Sequence, residues 1–161
     1  MPRFEGQSIE ALAQAIAADH PSPGCGAAAS VALALAAACA GKAFIVSARH
    51  RDGDAALGSA AEQARDMGRA AMALAQRDAA DFAAVLHSAP GDHEPEHALE
   101  ADGEAVLSLI ADLRALVQSH GEAVIAVMEG DLRAALDLAE ACERVQRRNM
   151  GLDGGQSGRD A

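Results

Sequence analysis

The sequence predicts an all-α fold, an antiparallel helical bundle built around one buried, alanine-rich helix, and three observations carry that reading. Apolar residues recur at helical spacing along nearly the whole chain, and strand-like alternation is absent. Hydrophobic residues fill 50% of the 161 positions but aromatics only 2%, without Trp or Tyr, so the core must be made of Ala, Leu, Val and Met. Small side chains of this kind let helix axes approach closely. Finally, the stretch from Ala27 to Ala48 carries a single charge, Lys42, and a helix that is apolar all round has to be surrounded.

The first helix is expected from about Ser8 to Asp19, where Ile9, Leu12, Ala13 and Ile16 form one stripe and Ser8 can cap the start. Pro21 and Pro23 stop it. The second begins near Gly26 and ends near Arg49-His50-Arg51, whose positive charge suits a helix C-terminus. That helix approaches the length needed to span a bilayer. Its apolarity comes largely from alanine, however, and the other helices are amphipathic and acidic, so the expectation is burial among helices in a soluble protein rather than in a membrane.

A third helix should run from about Asp54 to His87, with Met67, Ala71, Leu74, Phe82 and Val85 at helical spacing. Ser88 to Glu96, with Pro90, Gly91 and Pro95, reads as a loop. Beyond it Val106, Ile110, Leu113 and Val117 form a fourth seam. Val124, Met128, Ala135, Leu138, Cys142 and Val145 continue the pattern after a slip at His120-Gly121, with Glu122 to Glu129 expected to be helical. Residues 1–150 are thus read as one domain, and the tail from Gly151 to Ala161, rich in Gly and Asp, as disordered.

Charge removes one class of function. A formal net charge of -11 without a long basic stripe leaves no counterion-release term to drive nucleic-acid binding. Cys25, Cys39 and Cys142 lie far apart with no Cys-x-x-Cys spacing and are expected to be buried thiols in a reducing compartment. The first residues, Met1-Pro2-Arg3-Phe4-Glu5-Gly6, lack the charged-then-apolar order of a secretory signal, so the expected location is cytoplasmic.

Several features can carry chemistry. Pro21-Ser22-Pro23-Gly24-Cys25-Gly26 puts two glycines at a helix N-terminus, where free amides either cradle a carboxylate or phosphate or merely close a tight turn. Asp78 lies on the same face as Met67, Leu74 and Val85, with Asp81 one turn on, so two acids share a face that otherwise looks inward. Burial beside a second acid would raise one pKa toward neutrality and supply a general acid or base; an arginine partner or exposure at the stripe's edge is the structural alternative. Lys42 is equally misplaced, in line with Val31, Leu35, Ala38 and Ile45, and either snorkels to solvent or pairs with Asp78 in a cleft. Arg49-His50-Arg51 reads as a solvated helix end unless an acidic substrate meets it. His93-Glu94-Pro95-Glu96-His97 has the zinc-protease spacing, but Pro95 falls inside what must be a continuous helix, and no metal is expected there.

Three ordered segments resemble the family of cyclodeaminases and methenyltetrahydrofolate cyclohydrolases, which includes the cyclodeaminase half of formiminotransferase-cyclodeaminase. His20-Pro21-Ser22-Pro23-Gly24-Cys25-Gly26-Ala27 is similar to that family's Thr-Pro-Gly-Gly-Gly-Ser loop. Arg77-Asp78-Ala79-Ala80-Asp81-Phe82 resembles its Arg-Asp-Ala-Glu-Ala-Phe stretch. Gly130-Asp131-Leu132, with the helix through Leu138-Ala139-Glu140-Ala141 to Asn149, resembles its Ser-Asp-x-Gly-Val-Ala segment and closing helix. The likeness runs from about Ser8 to Met150.

What the resemblance implies is a helical homodimer with a folate cleft near the glycine-rich loop, a tetrahydrofolate derivative as substrate or ligand, and no resident cofactor. The implied reaction is ring closure of formiminotetrahydrofolate with loss of ammonia, or hydrolysis of methenyltetrahydrofolate to formyltetrahydrofolate. Asp78 would move the proton and Asp131 orient pterin nitrogens or water. Pro23, Gly24, Cys25, Gly26 and Asn149 would line the ligand, and Lys42 or Arg49 would meet the folate carboxylates. Asp131 falls either on the buried seam between Met128 and Ala135 or at a helix start as an N-cap. The second reading, from another class, is a non-enzymatic relative that keeps the dimer as a binding or scaffold protein. Cys25 in place of the loop's middle glycine and Ala27 in place of its serine favour it.

Overall fold

The computed structural model describes residues 6–152, and among them five α-helices and no strand. These are α1 (Ile9–Ala17), α2 (Cys25–His50), α3 (Ala55–His87), α4 (Glu94–His120) and α5 (Glu129–Asn149). α2 packs along α3 on one side and α5 on the other, while α4 lies against α3 and α5. The core between them holds Leu33, Ala36, Ala40, Phe44, Leu57, Ala64, Ile110, Leu113, Ala135 and Cys142. Alanine in large number, with a few Leu, Ile and Val side chains and Phe44 between them, is how a chain almost without aromatics closes its interior.

The helix ends follow local chemistry. Ser8 caps α1 by accepting from the Ala11 amide at 3.1 Å. Asp54 caps α3 by accepting from the amides of Ala56 and Leu57 at 2.9 and 3.1 Å. Gly53 supplies the positive φ of 83° in the short turn before it. α4 starts earlier than the sequence reading had it, at Glu94, because a proline is tolerated in a first turn, where its missing N–H has no intrahelical partner to lose.

Two further expectations are corrected at the C-terminal end. Glu122 to Glu129 is not one helix: single 3-10 turns at Gly121–Ala123 and Ala126–Met128 flank Val124 and Ile125, which are extended. Two adjacent β-branched residues suit extended backbone, and the break buries Val124 and Met128 while the Ile125 amide donates to Ser47 Oγ at 3.1 Å. Gly151, assigned to a disordered tail, instead ends α5 in a left-handed conformation (φ 67°). There the Leu152 amide donates to Arg147 O at 2.8 Å and the Gly151 amide to Arg148 O at 3.1 Å, the bond pair of a Schellman cap. The rest of that tail, residues 153–161, lies outside the described residues.

Buried polar groups sort into opposite cases. Ser47 is buried and bonded as above, whereas the equally buried Ser30 hydroxyl has no hydrogen-bond partner. Ser30→Ala should therefore raise stability by about 1 kcal/mol, and Ser47→Ala should lower it by about 1–2 kcal/mol through the orphaned Ile125 amide. Urea unfolding midpoints check both, and equal signs would contradict the assignment.

Enclosure of α2 by the subunit is incomplete. Leu35 and Ala38 are exposed, and an open apolar groove of about 530 Å³ runs between α2 and α3 past Ala34, Ala38, Gly41, Ile45, Gly68 and Met72. The sequence required α2 to be surrounded, and one chain surrounds only the faces turned to α3 and α5. α1 is likewise uncovered. It buries no residue of its own, Ile9 is 80% exposed, and of its stripe Leu12 packs against Ala27, Ala75 and Ala79.

Candidate functional site

The site forms where the N-terminus of α2 meets the later turns of α3. Gly24 is the N-cap of α2 and brings no side chain to its free amides, and the first turn carries no acid of its own. Asp78 of α3 supplies the missing acceptor from across the interface. Its carboxylate accepts a hydrogen bond from the Ala27 amide and sits directly over Gly26. A Cβ on Gly26 would overlap Asp78 Oδ1 and lie 2.8 Å from Cγ and 2.9 Å from Oδ2, so glycine is required there for space, not for backbone freedom.

The remainder of the loop is tied down around this contact. Ser22 Oγ donates to Ala79 O at 2.6 Å, one residue past Asp78, and the Ser22–Pro23 peptide is cis. From α5, Gln146 Nε2 donates to Gly26 O at 3.4 Å, and Asn149 Oδ1 accepts from Cys25 Sγ at 3.4 Å. Pro23 and Gly26 are buried, Gly24 is half-buried, and Cys25 and Asn149 face solvent. The Schellman cap just beyond Asn149 holds that end of α5 in place.

Burial pushes the Asp78 carboxyl up from 3.8 to about 6, against the pull of the Ala27 amide and with further upward pressure from Asp102 and Asp81. A helix N-terminus ordinarily favours the carboxylate; here loss of hydration outweighs it. The result is a partly exposed acid that holds or releases a proton near neutrality, which is what acid–base chemistry requires of a side chain.

Asp102 of α4, which sequence reading had passed over, stands beside it. Only 7% exposed, it faces Arg77 in a two-point contact, Oδ1 to Nη2 at 2.5 Å and Oδ2 to Nε at 3.3 Å. Burial raises its pKa, Arg77 opposes the rise, and Asp81, close enough to hydrogen-bond with it, adds to the rise. A signal for Asp102 existed: it is in line with Val106, Ile110, Leu113 and Val117, the same kind of anomaly that singled out Asp78. An arginine partner, the structural alternative for an inward acid, is thus present as Arg77 but serves Asp102, not Asp78.

The other candidates lie elsewhere in the subunit. Lys42 does not pair with Asp78. It is on the outer face of α2, about 24 Å along the helix from Gly26, and its Nζ bonds Asp131 Oδ1 at 2.9 Å. Asp131 is in the first turn of α5, neither the N-cap, which is Met128, nor fully buried. Arg49 is exposed in the last turn of α2, farther still from the loop. Cys25, read as a buried thiol, is exposed because it opens α2 ahead of the packed turns; Cys39 is half-buried, and Cys142 is buried, its thiol pushed up to about 12. His93, the N-cap of α4, contacts Glu96 through Nδ1 at 2.7 Å, and His97 Nδ1 lies 3.7 Å from Glu100, each histidine meeting an acid three residues on.

The fold and this contact define a class: a helical domain in which an acid from one helix is seated, by way of a glycine, on the N-terminus of another. The formiminotransferase-cyclodeaminase family profile matches residues 8–111, well over half the chain, and the protein belongs to that family. That membership relates it to folate one-carbon metabolism. The match takes in the loop, α2, Asp78 and Asp102 but stops before α5. No curated protein is significantly similar to the chain.

Proposed function

We propose that the protein is a one-carbon folate enzyme of the cyclodeaminase or methenyltetrahydrofolate cyclohydrolase type, in which Asp78 transfers the proton at the folate-bound carbon. The observation that carries the proposal is the seating of Asp78 on the α2 amides with its carboxyl pushed up to about 6. In the hydrolytic direction water attacks the cationic methenyl carbon, a C–O bond forms, one C–N bond breaks, and the carboxylate takes the proton lost by the water. In the deaminating direction the bridging amine nitrogen, outside the pterin ring, attacks the formimino carbon and forms a C–N bond, and the carboxylic acid protonates the imino nitrogen, whose bond to that carbon breaks as it leaves as ammonia. A group titrating close to neutrality serves either role. The loop residues Pro23, Gly24, Cys25 and Gly26, with Asn149, line the ligand, and no resident cofactor enters the proposed steps.

Lys42, Arg49 and Asp131 take no part in this site: Lys42 lies about 24 Å along α2 from Gly26 and pairs with Asp131, and Arg49 lies farther still. The Lys42 side chain is 61% exposed, so its ion pair contributes at most about 1 kcal/mol to stability. Lys42→Met should accordingly leave both the unfolding midpoint and KM almost unchanged. A KM raised severalfold would put Lys42 in the ligand site and contradict this placement.

We further propose a cytoplasmic homodimer that covers the apolar outer face of α2, since Leu35, Ala38 and the groove beside them are left open by one chain. Sedimentation at micromolar concentration tests it, and a stable monomer would refute it.

The direct test of the enzymatic reading follows the ultraviolet absorbance of methenyltetrahydrofolate with purified protein, and the ammonia released from formiminotetrahydrofolate. Acceleration above buffer is expected and should disappear in Asp78→Asn. The second reading, a non-enzymatic binding or scaffold protein, is favoured by Cys25 and by Ala27, which brings no hydroxyl to the loop. Folate binding without turnover would select it, and neither binding nor turnover would refute the folate assignment.

A further inference from the structure

We propose that Asp102, which no match to other proteins assigns a role, is the positioning residue for Asp78. Fixed by Arg77 and in contact with Asp81, it presents a buried negative charge from α4 that adds to burial in keeping the proton on Asp78. The inference rests on the proposed role of Asp78, but the group it acts on can be observed without catalysis.

The geometry is that of a held charge. Asp102 is nearly inaccessible, and two separate contacts to one guanidinium, at 2.5 and 3.3 Å, fix the plane of its carboxylate. Beside it Gly103 leaves room for the far end of α5, since a Cβ there would lie 2.8 Å from Met150 Sδ. Arg77 and Asp81 are four residues apart on α3 and share a face. Asp102 is against both of them, so it closes over the α3 turn that carries Asp78. The groups that bear on Asp78 are then Arg77 and Asp81 from α3 and Asp102 from α4. From α2 and α5 the thiol of Cys25 and the amides of Gln146 and Asn149 bond one another and the loop on which Asp78 is seated.

The consequence follows from charge alone. Arg77 is committed to Asp102 and does not relieve Asp78, while Asp81 and Asp102 both resist ionisation of a third acid nearby. Asp78 and Asp102 must then lose their protons as a coupled pair. Neutralising Asp102 removes one opposing charge and frees Arg77, and both changes push Asp78 toward its carboxylate form.

The test is a carbon-13 titration of the aspartate side-chain carboxyls in the folded protein, with the Asp78 signal assigned from Asp78→Asn. Asp102→Asn is expected to move the Asp78 midpoint down by on the order of one pH unit. Asp81→Asn should move it in the same direction, and it serves as the second arm if Asp102→Asn does not fold. Asp102→Glu should restore the original midpoint in part. An Asp78 midpoint that stays fixed or rises in a folded Asp102→Asn or Asp81→Asn protein overturns the proposal. The readout requires no turnover, so an inactive protein with the expected shifts would sink the enzymatic reading and leave this inference standing.

Discussion

Gly26→Ala is expected to be the most damaging single-methyl change in the chain. The added carbon would occupy the volume of the Asp78 carboxylate, so either the carboxylate leaves the α2 amides or α2 and α3 move apart. Overpacking of this kind costs about 1–3 kcal/mol, partly offset by the better helix propensity of alanine. The functional loss should be larger. A displacement of about 1 Å at a group that must meet a reacting atom lowers turnover by on the order of 10²-fold.

Gly24→Ala is the internal control. A Cβ there would meet only Pro21 O, at 3.6 Å, an ordinary contact. Its φ of -112° suits any residue, so the cost should be no more than about 1 kcal/mol, from the poorer N-cap. Denaturant unfolding and the methenyltetrahydrofolate assay read both variants. If Gly26→Ala matched Gly24→Ala in stability, Asp78 could not be seated where the structure has it.

The contrast between those two glycines also marks how far the sequence could be read. Both sit in a loop whose composition announces a helix N-terminus, and the anomaly of Asp78 among Met67, Leu74 and Val85 was visible from spacing alone. What spacing cannot show is which end of one helix lies against which turn of another. Lys42 and Asp78 each break an apolar pattern, and the pattern alone admits either a lysine that snorkels to solvent or a pair between the two. In the fold they are on different faces and about 24 Å apart along the bundle, and each meets a different partner.

Asp102 was legible by the same rule as Asp78 but lay among Glu100 and Glu104, where an acidic run reads as solvated surface. The burial of α2 was legible from composition, yet composition does not say whether the surrounding helices come from one chain or two. The turn at Val124 and Ile125 was hidden because both fit the apolar period that continues into α5.

Asp78→Asn should make the protein more stable at neutral pH and inactive, a pairing that a purely structural acid would not produce. The Asp78 carboxyl ionises at about 6 in the fold against 3.8 ordinarily, so between roughly pH 4 and 6 the folded state binds more protons than the unfolded chain. Stability contributed by the protonated acid is complete below about pH 4 and is lost as the pH rises through 6. The full displacement corresponds to about 3 kcal/mol. Asp78 is open enough to solvent that screening should reduce it to about 1–2 kcal/mol.

Asparagine removes the ionisation while keeping an oxygen that can accept the Ala27 amide, so the α2 cap survives. The stability of Asp78→Asn should exceed that of the unmodified protein by about 1–2 kcal/mol at pH 7, and the two should converge as the pH falls toward 4. Loss of the proton carrier should lower turnover by about 10²–10⁴-fold over the same range. Urea unfolding at a series of pH values, beside the absorbance assay, separates the possibilities. A variant that is less stable at pH 7 would mean that the Asp78 charge is a net gain to the fold as a helix cap. In that case the acid would have a structural reason to be there without any chemistry.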